Sequence, residues 1–296
     1  IYEEMRRPLI ELLELTGAGG LNDRAVYSWP SDHPQNLSGD KNALLEADVV
    51  VCLDVIDVNN VMGTYAVRRR SDQLEAREKM LAERHTKLRA AQLEKAQQNW
   101  DSSPLKVERM IHEVYQAVKD KPWTLTAANH RSFNEVVWNF PGAGAFLGAD
   151  GGGGVGYNTS AAIGAALALR DKGRFCVSIG GDGDYLMAPA SIWSAVHYRI
   201  PMLHIVNNNS TWGNDEVHQI EVAHNRNRPQ ENAWIGQSMR DPIIDFAEVA
   251  RGFGAWAKGP AGTPDEFAAI LKEAVAEVEK GNVAVIDVTT TLGTVS

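Results

Sequence analysis

The chain has 296 residues, of which 44% are hydrophobic and 23% charged, and its formal net charge is −9. This composition excludes disorder and a collagen-like fibre, and the acidic balance argues against nucleic acid as the main partner. Apolar runs are short and no basic-then-apolar leader opens the chain, so we expect neither a membrane-spanning helix nor a signal peptide. Cys52 and Cys176 lie within apolar runs, which predicts buried, reduced thiols in a cytoplasmic protein.

Residues 1–62 are predicted to form part of an α/β domain. A helical pattern runs from Tyr2 to Leu15, and a second, short helix is expected from Asn42 to Ala47. The apolar run over 48–54 then predicts a buried parallel strand. One and a half α/β units cannot complete a sheet, and the chain begins at Ile1 rather than at Met. We therefore expect the sequence to be part of a longer polypeptide, or to have lost its start.

Residues 63–103 are predicted to form a charged helical linker. The span Arg68–Lys95 holds nine basic and five acidic residues and neither proline nor glycine, which predicts one long helix. Leu74, Leu81 and Leu88 recur every seven residues but form a single apolar row, whereas a coiled coil needs two. We therefore expect an exposed linker helix along the surface, in preference to a dimerising coil or a basic binding surface.

From residue 104 onward, predicted helices and strands alternate. The predicted strands are Trp123–Ala127, Arg174–Ile179, Met202–Val206, Gly254–Ala257 and Val283–Thr289. The predicted helices are Leu105–Lys119, Ala161–Arg170, Pro189–Tyr198, Pro242–Arg251 and Pro264–Lys280. This alternation predicts an α/β fold, in which a parallel sheet carries helices on both faces. Ligands of such sheets bind beyond the carboxyl ends of the strands.

Glycine and polar residues follow two of these strands. Residues 180–184 read Gly-Gly-Asp-Gly-Asp, and residues 207–211 read Asn-Asn-Asn-Ser-Thr. Neighbouring parallel strands lie about 4.8 Å apart, so Asp182 and an asparagine amide can reach one Mg²⁺ ion. Gly183 would let the backbone approach a phosphorylated ligand closely, and the next helix would point N–H groups at it. Each half alone is ordinary turn chemistry, but together they predict a magnesium–diphosphate site.

The spacing of these motifs is that of a known family. Gly181-Asp182-Gly183, followed after 24 residues by Asn208-Asn209, resembles the thiamine diphosphate signature of the acetolactate synthase, benzoylformate decarboxylase and pyruvate decarboxylase superfamily. The glycine-rich stretch and small-residue helix over 153–165 are similar to that family's, and residues 33–51 are similar to the end of its middle domain. The resemblance implies a thiamine diphosphate-binding (diphosphate) domain over 104–296, preceded by the C-terminal part of a Rossmann-like middle domain.

The resemblance also implies roles for individual residues. The magnesium ligands would be side-chain oxygens of Asp182 and Asn209 and the backbone carbonyl of Thr211. Val155 would be the apolar wedge that bends the cofactor. The other implied cofactor contacts are Gly154, Gly181, Gly183, Asp184, Trp212 and Gly213.

Two positions depart from the family pattern. Asp184 stands where Ser or Ala is usual, and a carboxylate beside a diphosphate is unfavourable unless metal or solvent screens it. Thr159-Ser160 replaces a common Leu-Pro pair, which bears on the local backbone.

Catalytic and substrate-binding residues are harder to assign. The family's catalytic Glu comes from a pyrimidine-binding domain, and no Glu of this chain can be given that role. The resemblance thus implies a dimer or tetramer, or another chain that carries the pyrimidine domain. Possible substrate or cofactor contacts are His130, Glu216 and His218. His218, Glu221 and His224 have the spacing of a second metal site on a helix, but we favour a solvated helix face.

The implied function is a thiamine diphosphate- and magnesium-dependent lyase or carboligase acting on a 2-keto acid or 2-hydroxyacyl substrate. Two alternatives remain open. Gly151–Gly156 also satisfies the dinucleotide pattern of an NAD-dependent dehydrogenase, with Asp182 at the ribose. Against it, residues 145–150 make a poor first strand, and the asparagine run has no role in such a site. The second alternative is a non-catalytic, cofactor-binding remnant that lacks the pyrimidine domain.

Overall fold

The structure is a computed structural model that describes residues 3–21, 30–40, 42–43, 46–47, 49–51, 74–128, 135–142, 144–148 and 155–291. The chain divides into two compact units. The first comprises residues 1–95 and 139–146, and the second comprises 96–138 and 147–296. The assignment of residues 1–62 to a middle domain remains a prediction.

The second unit is built on a five-stranded parallel sheet. Its strands are β1 (Trp123–Ala128), β2 (Phe175–Gly181), β3 (Met202–Asn208), β4 (Trp256–Ala261) and β5 (Val283–Thr289). Their order across the sheet is β1-β2-β3-β5-β4, and every neighbouring pair is parallel. The predicted parallel sheet is therefore confirmed, and β2 and β3 are neighbours with one helical crossover between them.

The helices of the described residues are named in chain order. They are α1 (Glu3–Thr16), α2 (Leu74–Gln97), α3 (Val107–Val118), α4 (Tyr157–Leu169), α5 (Asp182–Met187), α6 (Ser191–His197), α7 (Gly213–Asn225), α8 (Phe246–Gly252) and α9 (Pro264–Glu279). None of these helices combines the length and apolar composition that crossing a bilayer would require.

Helices cover both faces of the sheet. On one face, residues of α4, α6 and α8 share a buried apolar cluster with Met202 and Val206 of β3. Leu203 and Ile205 alternate with these residues and are buried on the opposite face. There α3 and α9 pack against each other, and α9 packs against β4 and β5. Both faces of the central strands are therefore buried, which explains their nearly continuous apolar runs.

Local signals account for several element boundaries. Thr263 and Glu266 form a capping box, and Pro264 occupies the first helical position, so α9 begins where predicted. The predicted start of α8 at Pro242 is wrong: the Asp245 side chain accepts a hydrogen bond from the Glu248 N–H at 2.7 Å and caps a helix that begins at Phe246.

The predicted limits of β4 also need correction. Gly254 has φ +87° and its N–H bonds to Arg251 O, so the chain is still closing α8 at this point. The strand begins only at Trp256 and continues through Pro260 to Ala261. Proline is tolerated here because β4 lies at the edge of the sheet.

Two predictions for the first unit are wrong. Residues 49–51 form no strand, and Val49 and Val51 are 59% and 72% exposed. The described positions within 42–47 are turn and bend rather than helix. A buried strand needs partner strands, and the only bridge in the described part of this unit is the isolated one between Gly20 and Asn36.

Helix α2 is largely exposed, as predicted, but one of its leucines is buried. Leu81 is buried and packs with Leu37 and Ala43. Arg84, one turn further along, forms an ion pair with Asp40. Leu81 therefore packs within the first unit, against a loop some forty residues earlier in the chain. The linker role of residues 63–103 stays a prediction.

Candidate functional site

The structure brings together the carboxyl ends of β2 and β3. Gly181 pairs with Asn207 in the parallel ladder, and Asp182 follows as the first residue of α5. The Asp182 side chain is 3% exposed, and its Oδ2 accepts a hydrogen bond from the Ser210 N–H at 2.6 Å. Ser210 has φ +56°, a left-handed conformation that accompanies this contact. The two motifs singled out in the sequence therefore meet at one point.

The three asparagines after β3 have different partners. Asn207 Oδ1 accepts a hydrogen bond from the Thr290 hydroxyl, and Asn208 Nδ2 donates to Asp287 Oδ1 at 3.0 Å. Both side chains are buried and connect β3 to β5 and the residue after it. Asn209 is only partly buried, and its Oδ1 accepts a bond from the Thr211 N–H at 3.1 Å. Asn209 is therefore the asparagine placed to offer an oxygen to a ligand.

Burial makes Asp182 an unusual carboxylate. Burial raises the pKa of Asp182 to about 7, although hydrogen bonds from the backbone N–H groups of Gly183 and Ser210 act to lower it. No lysine or arginine of the described residues forms an ion pair with it. A buried anion of this kind is stabilised by a cation, and the oxygens of Asp182, Asn209 and Thr211 are hard ligands of the type that Mg²⁺ prefers. The residues present therefore fit a magnesium ion.

The segment after Asn209 is held from two sides. Thr211 is buried, and its hydroxyl lies 2.9 Å from Glu216 Oε2 and 3.2 Å from the backbone oxygen of Gln237. The backbone N–H of Trp212 donates to the backbone oxygen of Gln237 at 2.9 Å. Glu216, predicted as a possible substrate contact, thus has a structural bond to the residue predicted to bind the metal.

Gly183 is a glycine because of Trp212. A Cβ atom added at Gly183 would lie 2.6 Å from the Trp212 ring. This contact with the indole is a reason for glycine in addition to the predicted close approach of a phosphorylated ligand, which stays a prediction. The ring therefore lies against the first turn of α5, and Trp212 itself directly precedes α7, which begins at Gly213.

Asp184, the departure from the family pattern, also has a defined partner. Its Oδ1 accepts a hydrogen bond from the Gly156 N–H at 2.7 Å, and Gly156 has φ +91°. The carboxylate thus ties the turn before α4 to the first turn of α5. Val155, next to this turn, is 50% exposed, so ordinary core packing does not explain it. Its role as the apolar wedge beside the cofactor stays a prediction.

The α7 residues with the spacing of a second metal site do not form one. His218, Glu221 and His224 are exposed on α7, and the described residues contain no group of three His, Cys, Asp or Glu placed to hold a metal. His130 and Gly154 lie outside the described residues, as does Cys52.

Sequence reasoning missed a set of buried polar residues beneath the site. Ser178 and His204 are fully buried, and Asn158 is 3% exposed. Burial lowers the pKa of His204 to about 4, so this imidazole is neutral at physiological pH. The available signal was a polar residue in the middle of each apolar strand, at Val177-Ser178-Ile179 and Leu203-His204-Ile205.

A second buried carboxylate was missed as well. Asp287 on β5 is fully buried and accepts hydrogen bonds from Asn208 Nδ2 and from the Phe246 N–H. Burial raises the pKa of Asp287 to about 6. Its two bonds fix Asn208 and the first residue of α8, so its role in the described structure is to brace the end of β3.

The fold and the paired strand-end motifs define an α/β domain that binds its ligand at the carboxyl edge of a parallel sheet. Residues 127–288 match the family described as thiamine pyrophosphate enzyme, C-terminal TPP binding domain. The chain therefore belongs to this family, whose members include thiamine diphosphate-dependent decarboxylases and acetolactate synthases. The predicted family and fold are confirmed, and the dehydrogenase alternative is not favoured.

Similar proteins in this family are much longer than the chain. It is 32% identical over 161 residues to benzoylformate decarboxylase of Pseudomonas aeruginosa, a match that covers 54% of the chain and 26% of that protein. It is 24% identical over 189 residues to acetolactate synthase isozyme 3 large subunit of Escherichia coli, covering 64% of the chain and 31% of that protein. The chain thus matches between about a quarter and a third of the length of these relatives.

Solved structures share the fold. The thiamine diphosphate-dependent 4-hydroxybenzoylformate decarboxylase of Rhodococcus jostii RHA1 aligns with a TM-score of 0.54 and 24% identity, covering 64% of the chain and 33% of that protein. Benzoylformate decarboxylase of Polynucleobacter necessarius aligns with a TM-score of 0.52 and 21% identity, covering 64% and 34%.

Proposed function

We propose that the chain forms the magnesium- and thiamine diphosphate-binding part of an enzyme that breaks or forms a carbon–carbon bond next to a carbonyl. The substrate class is a 2-keto acid or a 2-hydroxyacyl compound. The observation that carries the proposal is the 2.6 Å hydrogen bond from the Ser210 N–H to Asp182, which unites the two halves of the motif. The relatives support the substrate class, since benzoylformate, named in one of them, is a 2-keto acid.

The chain's own residues would bind and orient the cofactor. The side-chain oxygens of Asp182 and Asn209 and the carbonyl of Thr211 would hold the magnesium ion. Bound thiamine diphosphate would supply a carbon nucleophile for the substrate carbonyl and a cationic ring that takes up the electron pair of the cleaved bond. Val155 would provide apolar contact to the cofactor, and the Trp212 ring covers Gly183 beside the metal ligands. A magnesium ion at Asp182 would also neutralise part of the diphosphate charge, so that binding would not depend on a basic patch.

The catalytic carboxylate would come from outside this chain's described site. We propose that a pyrimidine-binding domain, on another chain or on a further part of the polypeptide, supplies a Glu to the cofactor ring. The enzyme would then be a dimer or tetramer, or a complex of two kinds of chain. The proposal is supported by the length of the relatives, three to four times the matched segment.

Titration calorimetry with thiamine diphosphate at saturating Mg²⁺ tests the proposed site. The chain is expected to bind the cofactor, and Asp182→Ala to weaken binding at least a hundredfold, because it removes a charged metal ligand. Glu221→Ala is the matched control, since it removes an exposed carboxylate from α7 and should leave binding unchanged. No binding by the unaltered chain, or unchanged binding by Asp182→Ala, would overturn the proposal.

The substrate is tested separately. The chain, reconstituted with a protein that carries the pyrimidine domain, should consume at least one member of a panel of 2-keto acids. Identification of the product distinguishes decarboxylation from carboligation.

A further inference from the structure

A chain of hydrogen bonds runs under the end of β2. His204 Nδ1 lies 3.1 Å from Ser178 Oγ, the Ser178 hydroxyl donates to Asn158 Oδ1 at 3.0 Å, and Asn158 Nδ2 donates to the Ile179 carbonyl at 3.2 Å. Ser178 and His204 are direct partners in the parallel ladder of β2 and β3, and Asn158 lies in the first turn of α4. Three elements are therefore connected through buried polar groups.

The direction of each bond follows from the groups available. Asn158 must turn its Nδ2 toward the Ile179 carbonyl, because a carbonyl only accepts. Its Oδ1 therefore faces Ser178, and the single hydroxyl proton of Ser178 is donated to it. Ser178 Oγ can then only accept from His204, which requires the tautomer with the proton on Nδ1. The three side chains thus form a relay of hydrogen bonds with one direction. His204 on β3 donates to Ser178 on β2, and Ser178 donates to Asn158 on α4.

The relay touches the backbone that leads to Asp182. A Cβ atom added at Gly180 would lie 2.8 Å from Asn158 Oδ1 and 3.6 Å from His204 Cε1. The carbonyl before Gly180 is the one that Asn158 binds. Two residues before Asn158, the Gly156 N–H donates to Asp184. The first turn of α4 and the residue before it are therefore bonded to the chain on both sides of Gly180–Gly183.

An apolar core would hold these elements together without buried polar groups, which are costly unless satisfied. The hydrogen bonds add a defined position for the backbone that they contact, which is the Ile179 carbonyl next to Gly180. We infer that Asn158, Ser178 and His204 are positioning residues, which set the backbone of Gly180 and Gly181 so that Asp182 meets Asn209 and Thr211 in the geometry for a metal-bound diphosphate. This inference rests on the proposed function.

The test compares two buried hydroxyls on adjacent strands. Ser178→Ala breaks the relay. Thr126→Val is the matched control, because the buried Thr126 hydroxyl on β1 also bonds to a β2 backbone carbonyl, that of Val177, at 2.9 Å. Calorimetry with thiamine diphosphate at saturating Mg²⁺ should show a dissociation constant raised about tenfold or more for Ser178→Ala, the range found for groups that orient metal ligands. Thr126→Val should bind as the unaltered chain does.

Two His204 variants distinguish the effect of the lost hydrogen bond from the effect of altered core packing. His204→Asn places an amide N–H near the Nδ1 position and is expected to bind the cofactor within about threefold of the unaltered chain, whereas His204→Leu should resemble Ser178→Ala. In the cofactor-free protein, ¹⁵N NMR should show the His204 proton on Nδ1. Loss of stability in Ser178→Ala and His204→Leu with unchanged cofactor affinity, or a proton on Nε2, would overturn the relay. Absence of binding by the unaltered chain would instead overturn the proposed function.

Discussion

At the scale of single residues, Gly183 gives the sharpest prediction. Gly183→Ala should destabilise the second unit by about 1–3 kcal/mol, the usual cost of overpacking, because its Cβ would meet the Trp212 ring at 2.6 Å. Displacing the indole also shifts Thr211, so cofactor affinity should fall. Denaturant unfolding followed by tryptophan fluorescence measures the first effect, and calorimetry the second.

The control for this substitution is another helical glycine. A Cβ at Gly164 in α4 would meet nothing within 4 Å, so Gly164→Ala should leave stability unchanged or raise it by about 0.5–1 kcal/mol. Equal stability of the two variants would show that Trp212 does not occupy the space beside Gly183.

His204 gives a prediction for the effect of pH. Its pKa is about 4 in the folded protein and about 6.5 when unfolded, because burial disfavours the imidazolium ion. The unfolded chain therefore binds a proton first as the pH falls, so stability is lost between pH 6.5 and 4, by up to about 3 kcal/mol. His204→Asn has no titrating group there, and its free energy of unfolding should fall less over this range.

The measurement is the difference between the two proteins in denaturant unfolding at several pH values. Other groups titrate in both proteins, including Asp287 with its raised pKa, and their contributions cancel in the difference. A difference that does not change with pH would show that His204 is accessible to protons in the folded state.

At the scale of helices and strands, the sequence predicts those features that depend on neighbouring residues, such as buried strands and helix starts. β2 and β3 are apolar runs because both faces are buried, and the Thr263–Glu266 capping box with Pro264 defines the start of α9. The positions of Asp182 and Asn209 followed from the same logic, since strand ends are visible as a change from apolar to polar residues. The meeting of the two motifs at one edge of the sheet could therefore be predicted from motif and order alone.

What the sequence could not show are contacts made across the sheet or over long separations. Ser178 and His204 are 26 residues apart and meet only because β2 and β3 pair in that register. Leu81 packs with Leu37, forty-four residues earlier, and the charged sequence around Leu81 gives no signal of this contact. Gly183 illustrates a third limit: the residue type signals a close approach, but only the structure identifies Trp212 as the group that approaches.

At the scale of the whole molecule, the candidate ligands all belong to one unit. Asp182, Asn209 and Thr211 lie in the second unit, as do seven of the eight tryptophans. Because ligand that binds only the folded state adds RT ln(1 + [L]/Kd), thiamine diphosphate with Mg²⁺ at a hundred times its dissociation constant should stabilise this unit by about 2.7 kcal/mol. Tryptophan fluorescence should therefore report a higher unfolding midpoint on cofactor addition.

Hydrogen exchange resolved by peptide separates the two units. Protection on cofactor addition should rise in peptides from β2, β3 and α5, and stay unchanged in α1 and in α2 up to Lys95, which belong to the first unit. Asp182→Ala should remove the increase, whereas Glu221→Ala should retain it. Equal protection of α1 and β2 would mean that the two units unfold as one, and the stabilisation would then be shared by the whole chain because a single cooperative transition transmits it.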